Sequence, residues 1–233
     1  DSPKVWRRDF YAEYKANHTA QIDDPYFEDT IKACDLFMEF FRDYTAAVVL
    51  KVPHCEADDI IGVWCQESDG KNIILSSDKD FIQLINDKTT LYSPAQKCWR
   101  ETDDPVYDLF VKCIRGDRGD NVHSAYPRVQ ETKLRAAWSN GGVDMMNLLE
   151  TILPDGSKVG DRLDMNIQMI DLAAIPANVR ERIIKTITSY QPGKYSELKA
   201  LKFLADNGLK NQRDVLQFKE HPLRKTPVFK FSK

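Results

Sequence analysis

The sequence predicts an α/β fold: a mostly parallel central sheet flanked by helices, followed by a helical C-terminal region. Three observations carry this. Residues 72–75, NIIL, are an apolar run of strand length with polar residues on either side, the pattern of a parallel strand covered on both faces. Segments of helical period precede it at 28–44 and 58–67 and follow it at 105–115. From residue 130 onward every periodic segment has helical spacing.

The first residue is Asp1, and no strand precedes the polar segment after it. A doubly wound domain opens with a buried strand, so the opening strand is expected to be missing from this sequence. Residues 3–18, PKVWRRDFYAEYKANH, interleave Arg7, Arg8 and Lys15 with Trp6, Phe10, Tyr11 and Tyr14. That suits a strand of nucleic acid, cations for phosphates and rings for bases; it equally suits an amphipathic surface helix. Asp23-Asp24-Pro25 marks a turn or helix entry. Residues 28–44 place Ile31, Cys34, Phe37, Met38 and Phe41 on one helical stripe, expected to face the core. Residues 46–52, AAVVLKV, read as a β-branched strand closed by Pro53. A helix over 58–67, a turn at Asp69-Gly70 and the central strand follow, then a helical 81–85 and two short strands, 89–94 and 97–100, around a turn. Further helices are expected at 105–115, 130–140, 143–153, 164–172, 176–190 and 194–207, and an extended tail at 217–233. The acidic motifs end near residue 122, which divides the chain into a domain over 1–122 and a helical region over 123–233.

With 233 residues and 42% hydrophobic residues, the chain can bury one substantial core. No apolar run is long enough to span a membrane. Five cysteines without CxxC spacing read as reduced, buried thiols of a cytoplasmic protein, and argue against both a zinc site and a disulfide frame. The net charge of −3 hides an asymmetry: residues 180–233 hold 13 Lys+Arg against 5 Asp+Glu, or +8, leaving −11 for the rest. An acidic body with a basic tail suits a polyanion-binding protein, and a basic tail also serves solubility.

The chemistry-bearing residues are acids in three clusters. Asp78 and Asp80 in SSDKDF leave the carboxyl end of the central strand, where open α/β sheets place ligands. Alone, that motif also reads as a turn with either aspartate as an N-cap. It has company: Glu56, Asp58 and Asp59 in HCEADDIIGVW, and Asp117 and Asp120 in RGDRGDN. Acidic pairs gathered at element ends repel unless a cation sits between them, and oxygen-only ligands point to a hard cation such as Mg²⁺ or Mn²⁺.

The series EADD, SSDKDF, GDRGDN resembles the 5′-nuclease (flap endonuclease) superfamily, especially its T-even-phage ribonuclease H branch. WRRDFYAEYKAN, SPAQKCW and IDLAAIPANV extend the resemblance over most of the chain, to about Gln191. It implies a PIN-like fold and two Mg²⁺ ions, with Mn²⁺ as a substitute. Glu56, Asp58, Asp78 and Asp80 would be nearest the ions, with Asp59 beside them, and Asp1, Asp117 and Asp120 would serve the second ion. Lys15 would sit near the scissile phosphate, with Asp78 and Asp80 as the central catalytic acids. Arg7, Arg8, Tyr14, Lys15, Arg128 and Lys133 would contact nucleic acid. The implied activity is 5′-3′ exonuclease or flap cutting of RNA-primed or flapped DNA during primer removal, by a monomer, with a single-stranded-DNA-binding protein and a polymerase clamp as partners. Two departures stand out: His18 replaces an arginine found in several relatives, and VHSAYPRVQETKL lacks the paired glycines that often follow GDxxDN. A PIN-type ribonuclease and a non-catalytic nucleic-acid-binding module are the rival readings. An EF-hand at 78–89 is disfavoured by Gln83 at its glycine position, and a phosphoaspartate enzyme by Ile82 where threonine is wanted.

Overall fold

The computed structural model describes residues 4–17, 25–45, 47–191 and 196–209. Asp1, His18 and the tail at 217–233 lie outside the described residues. In chain order the elements are α1 (Arg7–Phe10), α2 (Phe27–Tyr44), α3 (Ala57–Glu67), β1 (Asn72–Leu75), a 3₁₀ helix (Lys79–Leu84), β2 (Thr89–Ser93), β3 (Cys98–Arg100), α4 (Pro105–Arg115), α5 (Glu131–Asn140), α6 (Gly142–Leu149), α7 (Val159–Ile170), α8 (Ala177–Ser189) and α9 (Glu197–Asp206). The class is α/β as expected, around a small mixed sheet of order β1-β2-β3. β1 runs parallel to β2, with Ile74 opposite Leu91, and β2 runs antiparallel to β3, with Tyr92 opposite Trp99. The hands follow from the connections. A four-residue turn can only reverse the chain between β2 and β3, whereas the crossover from β1 carries the 3₁₀ helix.

Two expectations about strands need correction. β1 is covered on one face only: Ile74 packs with Phe81, Leu84, Leu91 and Leu172, while Ile73 and Leu75 are 63% and 70% exposed. Residues 47–51 form no ladder. A strand exists only through a neighbour, and none of the described residues supplies one. Instead the Tyr190 hydroxyl donates to the Ala47 carbonyl and accepts from the Val49 N–H.

The chain divides into two compact units, and the cut is not at residue 122. Described residues between 4 and 17 and between 52 and 183 form one; those between 25 and 51 and between 184 and 209 form the other. The reason lies in the larger core of the first unit. Val5 and Tyr14 from the N-terminal segment share it with Cys113, Ile114, Leu134, Leu148, Val159 and Leu163 from the helices that follow the acidic motifs. In the second unit α2 packs on α9 through Phe40, Ala200, Phe203 and Leu204, flanked by Leu36 and Tyr44. The stripe expected to face the core is therefore the wrong one: Ile31, Phe37 and Phe41 are exposed. Cys34 and Cys98 are also exposed rather than buried. Among the described residues no helix is long and apolar enough to cross a membrane.

One glycine controls how α4 delivers the GDRGDN loop. Gly116 ends α4 at φ +73°, and a Cβ there would lie 2.4 Å from the Val122 carbonyl oxygen and 2.7 Å from His123 backbone atoms. Gly116→Ala is expected to destabilise the protein by about 3 kcal/mol through strain and collision. Gly141→Ala, at φ +58° with nothing near, should cost about 1 kcal/mol. Urea midpoints at unchanged slope measure both.

Candidate metal centre

The site begins at the start of α3. Glu56 is the N-cap, and Asp59, three residues on, accepts the Glu56 backbone N–H on Oδ2 at 2.9 Å. A buried guanidinium holds both acids. Arg7 Nη1 donates to Glu56 Oε2 at 2.9 Å and to Asp59 Oδ1 at 2.8 Å, and Nε donates to the Met169 carbonyl at 2.8 Å. Trp6 Nε1 completes the Asp59 shell at 3.0 Å, and the guanidinium lies 4.5 Å from the Trp6 ring centroid. Burial opposes the Arg7 charge, but Asp59, Tyr14 and Glu56 outweigh it and its pKa rises further.

Three expected roles are corrected here. Asp59 has no accessible surface and both oxygens engaged, so it is a structural acid and not a metal ligand. Arg7, 2% exposed, is its counter-ion rather than a phosphate contact. Tyr14 cannot stack on a base, because its ring is buried in the core. Its hydroxyl lies 3.0 Å from Glu56 Oε2 and 2.9 Å from Asp120 Oδ2. With one proton to donate, it serves one carboxylate at a time. Burial, with both carboxylates adding to it, drives the phenol pKa upward despite Arg7.

Two ammonium groups tie the remaining acids together. Lys15 Nζ is 2.5 Å from Glu56 Oε1 and 3.7 Å from Asp120 Oδ1. Its own N–H donates to the Asp120 carbonyl at 2.9 Å, with Lys15 in the left-handed region at φ +54°. Burial would raise the Glu56 carboxyl, yet Lys15 and Arg7 hold it below the usual range. Lys112, in the last turn of α4, bonds Asp80 and reaches Asp117 at 3.1 Å. Asp117 in turn accepts the Gly119 N–H at 2.8 Å, and despite burial its pKa is lowered, chiefly by Lys112.

Asp78 and Asp80 stand at the end of β1 as the sequence suggests. Asp78 caps the 3₁₀ helix by accepting the Asp80 N–H at 2.9 Å. Asp58, on the first turn of α3, faces them. Its pKa is pushed up to about 6, by burial first and then by the charges of Asp78 and Glu56, with Asp80 adding to them. Asp80 also rises, through burial and its neighbours Asp78 and Asp117, in spite of Lys112. Glu56, Asp58, Asp78, Asp80, Asp117 and Asp120 thus form one electrostatic neighbourhood, while Asp1 lies outside the described residues. Arg8 is exposed and closes its own turn through the Tyr14 carbonyl at 3.0 Å. Arg128 is exposed, and Lys133 lies 4.7 Å from the Tyr126 ring centroid. Arg128 also lines a cavity of about 1100 Å³ beside the GDRGDN loop, with Arg118, Arg162 and Tyr11 and, among the described residues, no acid on its wall.

Sequence reasoning missed Lys112. A basic residue in a helix's last turn ordinarily reads as complementing the helix dipole, and nothing in its spacing names the strand-end acid it meets.

The donor set fits a hard divalent cation. It is all carboxylate, and burial, with the neighbouring carboxylates adding to it, raises the Asp58 pKa. As they stand, however, no three Asp, Glu, His or Cys side chains among the described residues are gathered closely enough to hold an ion. Lysine ammonium groups occupy the spaces between them.

Comparison with known proteins agrees with this fold. Residues 1–109 match the family described as 5′-3′ exonuclease, N-terminal resolvase-like domain. The chain is thus similar to 5′-3′ exonucleases over residues 1–109, just under half of its length. Its relatives include the thermostable DNA polymerase I of Thermus filiformis, 26% identical over 215 residues, which cover 85% of this chain and 25% of that protein. Flap endonuclease Xni of Pseudoalteromonas translucida is 25% identical over 197 residues, 82% of this chain and 67% of that protein. The chain therefore spans only about a quarter of the polymerase that it matches. Among solved structures, the bacteriophage T5 D15 protein co-crystallized with metal ions has a TM-score of 0.56 at 19% identity, covering 81% of this chain and 80% of that one. A T5 D15 flap endonuclease complex with DNA and metal ions has a TM-score of 0.55 at 21% identity.

Two predictions follow from the charges. Arg7→Met strands two buried carboxylates and should cost about 3–5 kcal/mol in urea unfolding. Asp58 holds a proton more tightly folded than unfolded, so its contribution to stability is present below about pH 4 and lost as pH rises through about 6. Asp58→Asn should therefore stabilise the EDTA-treated protein at pH 7 and leave it nearly unchanged at pH 4, by thermal melts.

Proposed function

We propose that this chain is a metal-dependent 5′ nuclease that hydrolyses phosphodiesters at the 5′ ends of flapped or RNA-primed DNA. The observation that carries the reading is the convergence of Glu56, Asp58, Asp78, Asp80, Asp117 and Asp120, from α3, the end of β1 and the loop after α4, around two lysines. The match of residues 1–109 to a 5′-3′ exonuclease family supports it, as do a relative named as a flap endonuclease and the DNA and metal ions in a T5 structure of similar fold.

Bound divalent cations, Mg²⁺ or Mn²⁺, would supply an activated water and neutralise the phosphoryl oxygens. Glu56, Asp58, Asp78 and Asp80 would hold the first and Asp117 and Asp120 the second, with Asp1 as a further ligand. The chain's own groups do the rest. Arg7 and Trp6 fix Asp59, and through the first turn of α3 they set the positions of Glu56 and Asp58. Lys15 brings positive charge to the phosphate as negative charge grows on it. Its backbone bond to Asp120 ties that position to the GDRGDN loop. Arg8, Arg128 and Lys133 present exposed cations for phosphates. Such contacts read backbone shape rather than bases, so cutting without sequence preference is expected.

The test is a labelled 5′ flap and an RNA-primed duplex, incubated with Mg²⁺ or EDTA. Cutting from the 5′ end is expected with Mg²⁺ and absent with EDTA. The Asp78→Asn, Asp80→Asn double variant should lose at least about a hundredfold in rate. A chain that binds the flap tightly in Mg²⁺ without cutting it would instead be a binding module.

A further inference from the structure

We propose that Lys112 is a built-in counter-ion of the metal centre, and that a divalent cation enters by displacing its ammonium from Asp80 and Asp117. The inference rests on the carboxylate centre being a metal site, and it concerns what fills that site beforehand. Lys112 is the cation that joins the strand-end acid Asp80 to the loop acid Asp117, which is 3.1 Å from it. Its side chain, like those of its two partners, is about one-quarter exposed. Both carboxylates thus point at an ammonium, and among the described residues no three acids are gathered closely enough to hold an ion. Lys15 repeats the arrangement between Glu56 and Asp120. In each pair one acid comes from α3 or the end of β1 and the other from the loop after α4, so the lysines draw together parts that would otherwise repel.

One cation does not balance this half of the site. Asp80 and Asp117 share the ammonium of Lys112, the charges of Asp78 and Asp58 add to that of Asp80, and Lys15 lies between Glu56 and Asp120. An ion of charge +2 entering between Asp80 and Asp117 replaces a +1 group, leaves the site nearer neutrality and frees Lys112. Its side chain then faces the site as a mobile positive charge. The lysine serves two purposes: it keeps the metal-free protein folded, and it weakens metal binding by the work of its own displacement.

Calorimetric titration of the EDTA-treated full chain with Mn²⁺ tests this, alongside Lys112→Met, Lys112→Arg and the Asp78→Asn, Asp80→Asn double variant. Lys112→Met should bind Mn²⁺ about tenfold more tightly than the parent, and its metal-free form should melt at a lower temperature. Lys112→Arg should stay near the parent in both. A second readout needs no variant: acylation of the Lys112 amine, followed by peptide mass spectrometry, should speed up several-fold when Mn²⁺ is added. Unchanged or weaker Mn²⁺ binding in Lys112→Met, or acylation that Mn²⁺ leaves unchanged or slows, would overturn the proposal while leaving the metal centre intact. If the parent takes up no Mn²⁺, or the double variant binds it equally well, the metal reading fails and the counter-ion inference with it.

Discussion

The site depends on one buried guanidinium. Arg7 reaches from the N-terminal segment into the first turn of α3 and binds Glu56 and Asp59 together through Nη1, while Nε donates to the Met169 carbonyl. Removing three ionic groups from water is costly, and only a full set of hydrogen bonds offsets it. Here the set is nearly complete, with Trp6 and the Glu56 N–H closing the last positions on Asp59. That linkage ties segments more than forty residues apart in sequence. It also sets where Glu56 and Asp58 emerge.

Outward from Arg7, carboxylates and cations alternate. Glu56 is shared by Arg7 and Lys15, Lys15 also approaches Asp120, and Lys112 bridges Asp117 and Asp80. The chain of charges is open at Asp58 and Asp78, where negative charge is in excess and the Asp58 carboxyl is pushed up to about 6. An acidic cluster that is compensated nearly everywhere has a definite place for added positive charge. The same arrangement lets a mostly acidic domain fold before any cation arrives.

How much of this was legible in the sequence depended on whether the signal was local. α4 could be read at its true limits, because Asp104 caps it, Pro105 opens it and Gly116 ends it. The β2–β3 hairpin was legible for the same reason. α7 starts several residues earlier than its apolar spacing suggests, and α6 stops earlier. The expected strand at 46–52 had the right residues and lacked a partner, which no local pattern records. The face of α2 was misread because it carries two apolar stripes, and only the position of α9 decides which is covered. At the site, the acids could be named from their spacing, but not their division of labour. Asp59 and Asp58 are adjacent and chemically alike; one is sealed by Arg7 and Trp6, and the other faces two strand-end carboxylates. That difference is made by side chains distant in sequence.

β1 carries a consequence for handling the protein. Its outer edge has no ladder neighbour among the described strands, and Ile73 and Leu75 lie open beside it. An unprotected edge with bulky aliphatic residues is a template on which further chains can add, and natural sheets usually guard such edges with lysine, proline or a bulge. None of these stands in Asn72–Leu75. Among the described residues, that edge and its two open aliphatic side chains are where self-association of this chain would begin.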